Sequence, residues 1–161
     1  MPYSAPKTRI AASTFALLII LLATVIGKPL YADGQTDTNQ QSLDALLATA
    51  DVKAGEQVSH QCTMCHTFTK GGSDGIGPNL WNIVGSFRAH SPNYNYSDAL
   101  NSMHHEKWTY DALNFYIANP HKFAPGDKMP FAGIAGEKKR ADLIAWLRTL
   151  SDKPVPLPAA R

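Results

Sequence analysis

The chain has 161 residues, 44% hydrophobic and 17% charged, which suits one globular domain with an ordinary core and excludes a disordered chain. Its formal charge of +2 arises from Lys7, Arg9 and Lys28 in an acid-free beginning, since from Asp33 onward 12 Lys/Arg face 13 Asp/Glu. A body so near neutrality lacks the basic stripe that nucleic-acid binding requires, so no nucleic-acid partner is expected.

Lys7 and Arg9 lead into IAASTFALLIILLATVIG, Ile10–Gly27, which is 18 residues without a charge. As a helix it would run about 27 Å, close to the ~30 Å hydrocarbon core of a membrane. It reads as a signal-anchor over residues 10–27, with residues 1–9 kept cytoplasmic by the positive-inside rule. A cleaved secretory signal ending at Ala32, in LYA behind a bulky Leu30, is the alternative. Either one exports the domain. Residues 28–41, KPLYADGQTDTNQQ, read as a polar linker opened by Pro29 and spanning on the order of 20 Å.

The domain itself is expected over residues 42–151, and its readable elements are helical. Ser42 is placed to cap LDALLATA, where Leu43, Leu46, Leu47 and Ala50 recur at helical spacing. Asp51 caps a second segment, Val52–Gln61. Thr109 and the Asn119-Pro120 pair bracket a third, Tyr110–Ala118. The fourth, Glu137–Leu150, carries Leu143, Ile144, Leu147 and Leu150 in one stripe with Trp146 beside it. Strand alternation is missing, and long loops such as KGGSDGIGPN and NPHKFAPGDKMPFAGI call for something to pack against, as a flat apolar cofactor would provide. The tail, residues 152–161 with Pro154, Pro156 and Pro158, is expected to lie extended on the surface.

The only cysteines, Cys62 and Cys65, stand in HQCTMCHTF with His66 directly after them. Zinc would need a second pair of ligands, and the only other cluster is His104-His105. A thioredoxin-like motif would follow a strand, and none precedes these cysteines. C-x-x-C-H also serves covalent haem attachment, with two thiols adding across the vinyl groups and the histidine beneath the iron. That reading asks for a second axial ligand. Met129, in a loop framed by Pro125, Gly126 and Pro130, is the candidate; Met64 lies inside the attachment turn and Met103 reads as a packing residue. A second histidine (His90, His104, His105 or His121) would instead give bis-His ligation.

CTMCHTFTKGGSDGIGPNLWNIVG, YNYSDAL, KWTYDALNFYIANPHKFAPGDKMPFAGI and KRADLIAWLRTL occur in an order and spacing that resemble class I c-type cytochromes, over about Asp51–Leu150. With the N-terminal segment, the chain is similar to the membrane-anchored cytochromes of alphaproteobacteria, relatives of mitochondrial cytochrome c. The resemblance implies an all-α fold of four to five helices and long loops around one covalent haem c. It implies thioethers at Cys62 and Cys65, axial ligation by His66 and Met129, and a Pro78 carbonyl holding the proximal imidazole. It further implies Tyr96 and Trp108 as propionate donors, Tyr116 and Asn119 in a polar network on the methionine side, and Phe131 covering the haem.

Three positions depart from the family. Ser86 stands where an arginine often follows the glycine matching Gly85, leaving open whether Arg88 takes its place. Val58 stands where an aromatic is expected on the same helix as Gly55, so Trp146 is expected to fill that gap. The lysine ring is thinned to Lys70, Lys122, Lys128, Lys138, Lys139 and Arg140, which weakens long-range steering and suits a tethered carrier. The function implied is electron transfer rather than enzymatic turnover, in a monomer that passes electrons from a cytochrome bc complex to a haem–copper terminal oxidase. The expected location is the inner membrane as a single-pass protein with its haem domain in the periplasm, or the soluble periplasm after cleavage near Ala32. A fixed subunit of an oxidase complex, or a haem enzyme or gas sensor with a displaceable methionine, are the alternatives.

Overall fold

The computed structural model describes residues 38–159, with side chains from residue 43. The expected signal-anchor and most of the expected linker therefore lie outside the described residues. No described helix is long and apolar enough to cross a membrane. The described elements are α1 (Thr38–Ala48), α2 (Val52–Ser59) running into a 3₁₀ turn (His60–Cys62), α3 (Asp98–Asn101), α4 (Tyr110–Ala118), α5 (Pro120–Phe123) and α6 (Glu137–Thr149). No strand is formed among the described residues; a single antiparallel bridge joins Phe87 and Lys107.

Local chemistry accounts for most boundaries. Asp51 accepts from the amides of Lys53 (2.9 Å) and Ala54 (3.0 Å) and starts α2. The Thr109 hydroxyl accepts from Ala112 N–H at 3.1 Å and starts α4. α1 opens at Thr38, before the cap expected at Ser42 and inside the stretch expected as linker. Asn119-Pro120 ends α4, as expected, and also begins α5: the Asn119 side chain accepts from Lys122 N–H at 2.9 Å, with Pro120 at the first helical turn.

α6 is the hub, packing on α2, α1 and α4. Its Ala141, Leu143, Ile144 and Leu147 are buried, together with Leu43 and Leu47 of α1 and Leu113 and Ile117 of α4. Each such Leu or Ile side chain stabilises by about 1.5–3 kcal/mol. The α2–α6 crossing is close because Gly55 has no side chain: a Cβ there would lie 2.0 Å from the Asp142 carbonyl oxygen and 2.9 Å from Trp146 Cβ. Trp146 does stand at this crossing, edge-on to Phe68 with centroids 5.0 Å apart. Asp142, buried in α6, accepts from Asp51 N–H at 2.7 Å and ties the start of α2 to the same helix.

Candidate functional site

The 3₁₀ turn and the turn that follows it bring three reactive side chains to one cavity. Cys62 O accepts from the amides of Cys65 (3.1 Å) and His66 (3.0 Å), and Cys62, Cys65 and His66 all line one cavity. Burial pushes the Cys62 thiol up to about 11, with the neighbouring Cys65 adding to the shift. His66 Nδ1 lies 2.7 Å from the Pro78 carbonyl oxygen. A carbonyl only accepts, so Nδ1 carries the proton and Nε2 keeps its lone pair. Burial lowers the His66 pKa and favours this neutral form, against the opposing pull of the Pro78 hydrogen bond. Gly75 N–H to Gly77 O (2.8 Å) and Gly77 N–H to Cys65 O (2.7 Å) lock the loop that brings Pro78 into place.

The cavity measures about 360 Å³, inside the ~300–1,000 Å³ range of cofactor sites. Its walls are mostly apolar: Leu80, Ile83, Leu100, Leu113, Ile117, Leu143 and Leu147. Met129, Pro130 and Phe131 enter from the loop after α5, which turns through Gly126 at φ +91 and closes with Asp127 N–H on Ala124 O at 2.9 Å. Beside them lies a polar group that sequence reasoning missed. The Tyr116 hydroxyl donates to Asp127 Oδ2 at 2.7 Å, and Asp127 Oδ1 accepts from Lys128 N–H (2.8 Å) and from the Ser97 hydroxyl (3.4 Å). Asp127 sits two places before Met129, and that adjacency was its only sequence signal.

The expected propionate donors Tyr96 and Trp108 are both buried and both line the cavity. The Tyr96 hydroxyl accepts from Ser91 N–H at 3.2 Å and lies 3.5 Å from His90 Nδ1. Trp108 is pinned by its backbone, with its N–H on Ser86 O and its C=O accepting from Gly85 N–H, both at 2.8 Å. Arg88 is not among the lining residues. Its guanidinium lies behind Trp108, 5.2 Å from that ring and 4.8 Å from Phe123, paired with Glu106 at 2.9 Å and touching Met103 Sδ at 3.0 Å. Its Nε is buried without a partner among the described residues. Arg88 therefore braces Trp108 from the far side instead of filling the arginine position that Ser86 vacates.

Asn119 is a correction. It was expected in the network around the methionine, but its side chain is exposed and is used to cap α5. Arg140 is a second: expected among the surface cations, it is buried, with Nε on Asn114 Oδ1 (2.7 Å) and Nη1 on the carbonyls of Ile134 (2.8 Å) and Ala135 (2.7 Å). His104 and His105 are exposed and away from the cavity, whereas His90 lines it, held by Asn79 O at 3.1 Å. No group of three or more His, Cys, Asp or Glu side chains suited to a metal ion occurs among the described residues, so the zinc reading finds no ligand set there.

The donor set fits a haem. Two thiols one turn apart, an imidazole with a free Nε2, a thioether in the same cavity, apolar walls and buried phenol and indole rings are what such a group needs. The family model described as "Cytochrome c" matches residues 52–151. A cytochrome c homolog of Bradyrhizobium diazoefficiens is 44% identical over 128 residues, 79% of this chain and 69% of that protein. The cytochrome c of Trypanosoma brucei brucei is 48% identical over 83 residues, 52% of this chain and 88% of that protein. Among solved structures, cytochrome cH from Methylobacterium extorquens aligns with a TM-score of 0.57 and 39% identity, covering 62% of this chain and 99% of its own. With the C-x-x-C-H turn and its cavity, these matches identify the chain as a member of the class I cytochrome c family, an electron-transfer protein that carries one covalent haem c.

Proposed function

We propose that this cytochrome is a membrane-anchored periplasmic carrier, taking electrons from a cytochrome bc complex and passing them to a haem–copper terminal oxidase. The observation that carries the ligand assignment is the 2.7 Å contact of His66 Nδ1 with Pro78 O, which frees Nε2 in the cavity that Met129 also lines. His66 and Met129 would then be the axial ligands and Cys62 and Cys65 the thioether positions. When bound, the haem supplies an iron that cycles between ferrous and ferric states. The residues set its poise: a soft thioether from Met129 and the apolar Leu and Ile walls favour the less charged reduced state. Pro78 fixes the imidazole, while Phe131, Leu80 and Ile83 add apolar surface to the cavity. The anchor is supported by the length and charge-free run of Ile10–Gly27 with Lys7 and Arg9 before it.

The optical spectrum of the oxidised protein tests the ligands. A weak far-red band from methionine to iron is expected, and Met129→Ala should abolish it, lower the reduction potential and open the iron to carbon monoxide while the haem stays covalently bound. An unchanged potential would refute Met129. Intact mass of the native protein, together with its partition between membrane and soluble fractions, tests the anchor: a chain beginning at Asp33 in the soluble fraction would overturn it.

A further inference from the structure

A buried charge stands just outside the cavity. Arg88 is only 7% exposed, and its guanidinium sits against two rings, 4.8 Å from Phe123 and 5.2 Å from Trp108. Those rings stack on each other with centroids 5.9 Å apart, and Trp108 also meets Tyr116 at 4.9 Å. Trp108 and Tyr116 line the cavity, whereas Arg88 does not. The backbone fixes this order. Arg88 N–H donates to Glu106 O, Trp108 N–H to Ser86 O and Gly85 N–H to Trp108 O, each at 2.8 Å, so the Gly85–Arg88 segment is clipped to Glu106–Trp108.

Bracing a ring does not call for a cation. A buried ion pair can often be replaced by apolar side chains without loss of stability, and here the Arg88 Nε is buried with no partner among the described residues, which is a further cost. The charge itself therefore needs an account. Arg88 Nη1 pairs with Glu106 at 2.9 Å, but the two side chains are 8% and 56% exposed. Water screens the carboxylate far more than the guanidinium, so the pair does not cancel on the side that faces the cavity. Among the described residues that line the cavity, Asp127 and Lys128 are the charged ones, adjacent and opposite in sign. Arg88 adds an unbalanced positive charge behind the same wall, and such a charge favours the less charged ferrous iron over ferric.

We propose that Arg88 is a positioning residue for electron transfer: its buried guanidinium, acting across Trp108, biases the iron toward the ferrous state, and Glu106 partly offsets it. The inference rests on the haem c lying in this cavity and holds whichever proteins exchange the electron. Two residues that form one ion pair then move the potential in opposite directions, which a purely structural role does not produce.

The test titrates the full, haem-loaded protein against redox mediators at low salt and records optical spectra on the same samples. Arg88→Met, which keeps a flexible apolar filler behind Trp108, should shift the ferrous-to-ferric ratio at a fixed applied potential about three- to tenfold toward ferric; tenfold corresponds to about 59 mV for one electron. Arg88→Lys retains the charge and should stay within about twofold of the wild type. Glu106→Gln should move the ratio the other way, by about two- to threefold, the smaller effect following from its exposure. A ratio unchanged in Arg88→Met would overturn the proposal, as would a shift of Arg88→Met and Glu106→Gln in the same direction. Arg88→Lys falling as far as Arg88→Met would give the effect to the stacked fork and not to its charge, also against the proposal. Loss of the far-red methionine band in Arg88→Met would reduce the role to bracing. Should Arg88→Met fail to accumulate with haem, Glu106→Gln decides alone: a gain in the ferrous form upholds the proposal and an unchanged ratio overturns it.

Discussion

The imidazole of His66 leaves no room for a side chain at Gly77: a Cβ there would stand 2.3 Å from Cε1, 2.7 Å from Nδ1 and 2.8 Å from Nε2. The glycine is therefore part of the device that aims the ring. Its own amide is bonded to Cys65 O, so the loop cannot simply retreat. Gly77→Ala is expected to push the imidazole off the Pro78 carbonyl, lowering haem retention or shifting the reduction potential, at a stability cost of about 1–3 kcal/mol. Gly71→Ala is the control: its φ is +68 but nothing lies within 4 Å of the added Cβ. It should cost about 1–2 kcal/mol from backbone strain alone and leave the spectrum untouched. Potentiometry and thermal melting of the two variants separate the cases, and an identical potential in Gly77→Ala would count against the aiming role.

At the α2–α6 crossing the limit is set by backbone. A Cβ on Gly55 would meet the Asp142 carbonyl oxygen at 2.0 Å, and a carbonyl inside a helix cannot swing aside as a side-chain tip can. Gly55→Ala should therefore cost about 3 kcal/mol or more, at the upper end of overpacking effects. Val58→Ala, also on α2 but only partly buried, should cost about 1–2 kcal/mol. Denaturant unfolding of the haem-loaded protein measures both, and similar losses for the two would show that the crossing can relax.

How far such features can be read from sequence depends on whether their cause is local. Asp51 and Thr109 cap their helices through amides two or three residues away, and the C-x-x-C-H turn is a single local unit, so each was legible. Asn119 shows the limit: Asn-Pro chemistry is the same whether it ends one helix or begins the next, and the residue does both. Arg88 and Arg140 look like surface cations in the sequence, and only tertiary packing reveals that one sits against Trp108 and Phe123 and the other on the Ile134 and Ala135 carbonyls. Asp127 was overlooked because its partner Tyr116 lies on another element, 11 residues away.

Tyr116 and Asp127 also make the stability depend on pH. Burial, and then the hydrogen bond to the Asp127 carboxylate, raise the Tyr116 pKa well above its usual 10. The folded protein thus keeps this phenolic proton while the unfolded chain releases it above about pH 10. The associated stability is complete below that pH and is lost as pH rises toward the folded value. Tyr116→Phe should cost about 1–3 kcal/mol at neutral pH, because Asp127 loses a donor in a buried site. That deficit should narrow above pH 10, where only the wild type has a proton to lose here. Melting temperatures of both proteins across about pH 7 to 11 give the comparison, and a deficit that is constant with pH would contradict the linkage.

The tail is expected from sequence to lie extended on the surface, and its described part, residues 152–159, forms no helix and is docked. Val155 packs against the core, its carbonyl accepts from the Tyr110 hydroxyl at 2.9 Å and from Arg148 Nε, and Lys70 reaches Asp152 at 2.6 Å. Val155 Cγ2 also lies 2.8 Å from where a Cβ on Gly85 would stand, and Gly85, at φ +85, belongs to the backbone that pins Trp108. Ending the chain after Asp152 should cost about 2–3 kcal/mol, from two hydrogen bonds and one partly buried valine. None of the described residues removed lines the cavity, so the optical spectrum should not change. Combining the truncation with Gly85→Ala isolates the contact. In the full chain that substitution adds both backbone strain and the clash with Val155, while in the truncated chain only the strain remains, so the two losses should fall short of additivity by about 1 kcal/mol. Strict additivity in a thermal or denaturant cycle would mean that the tail does not bear on Gly85.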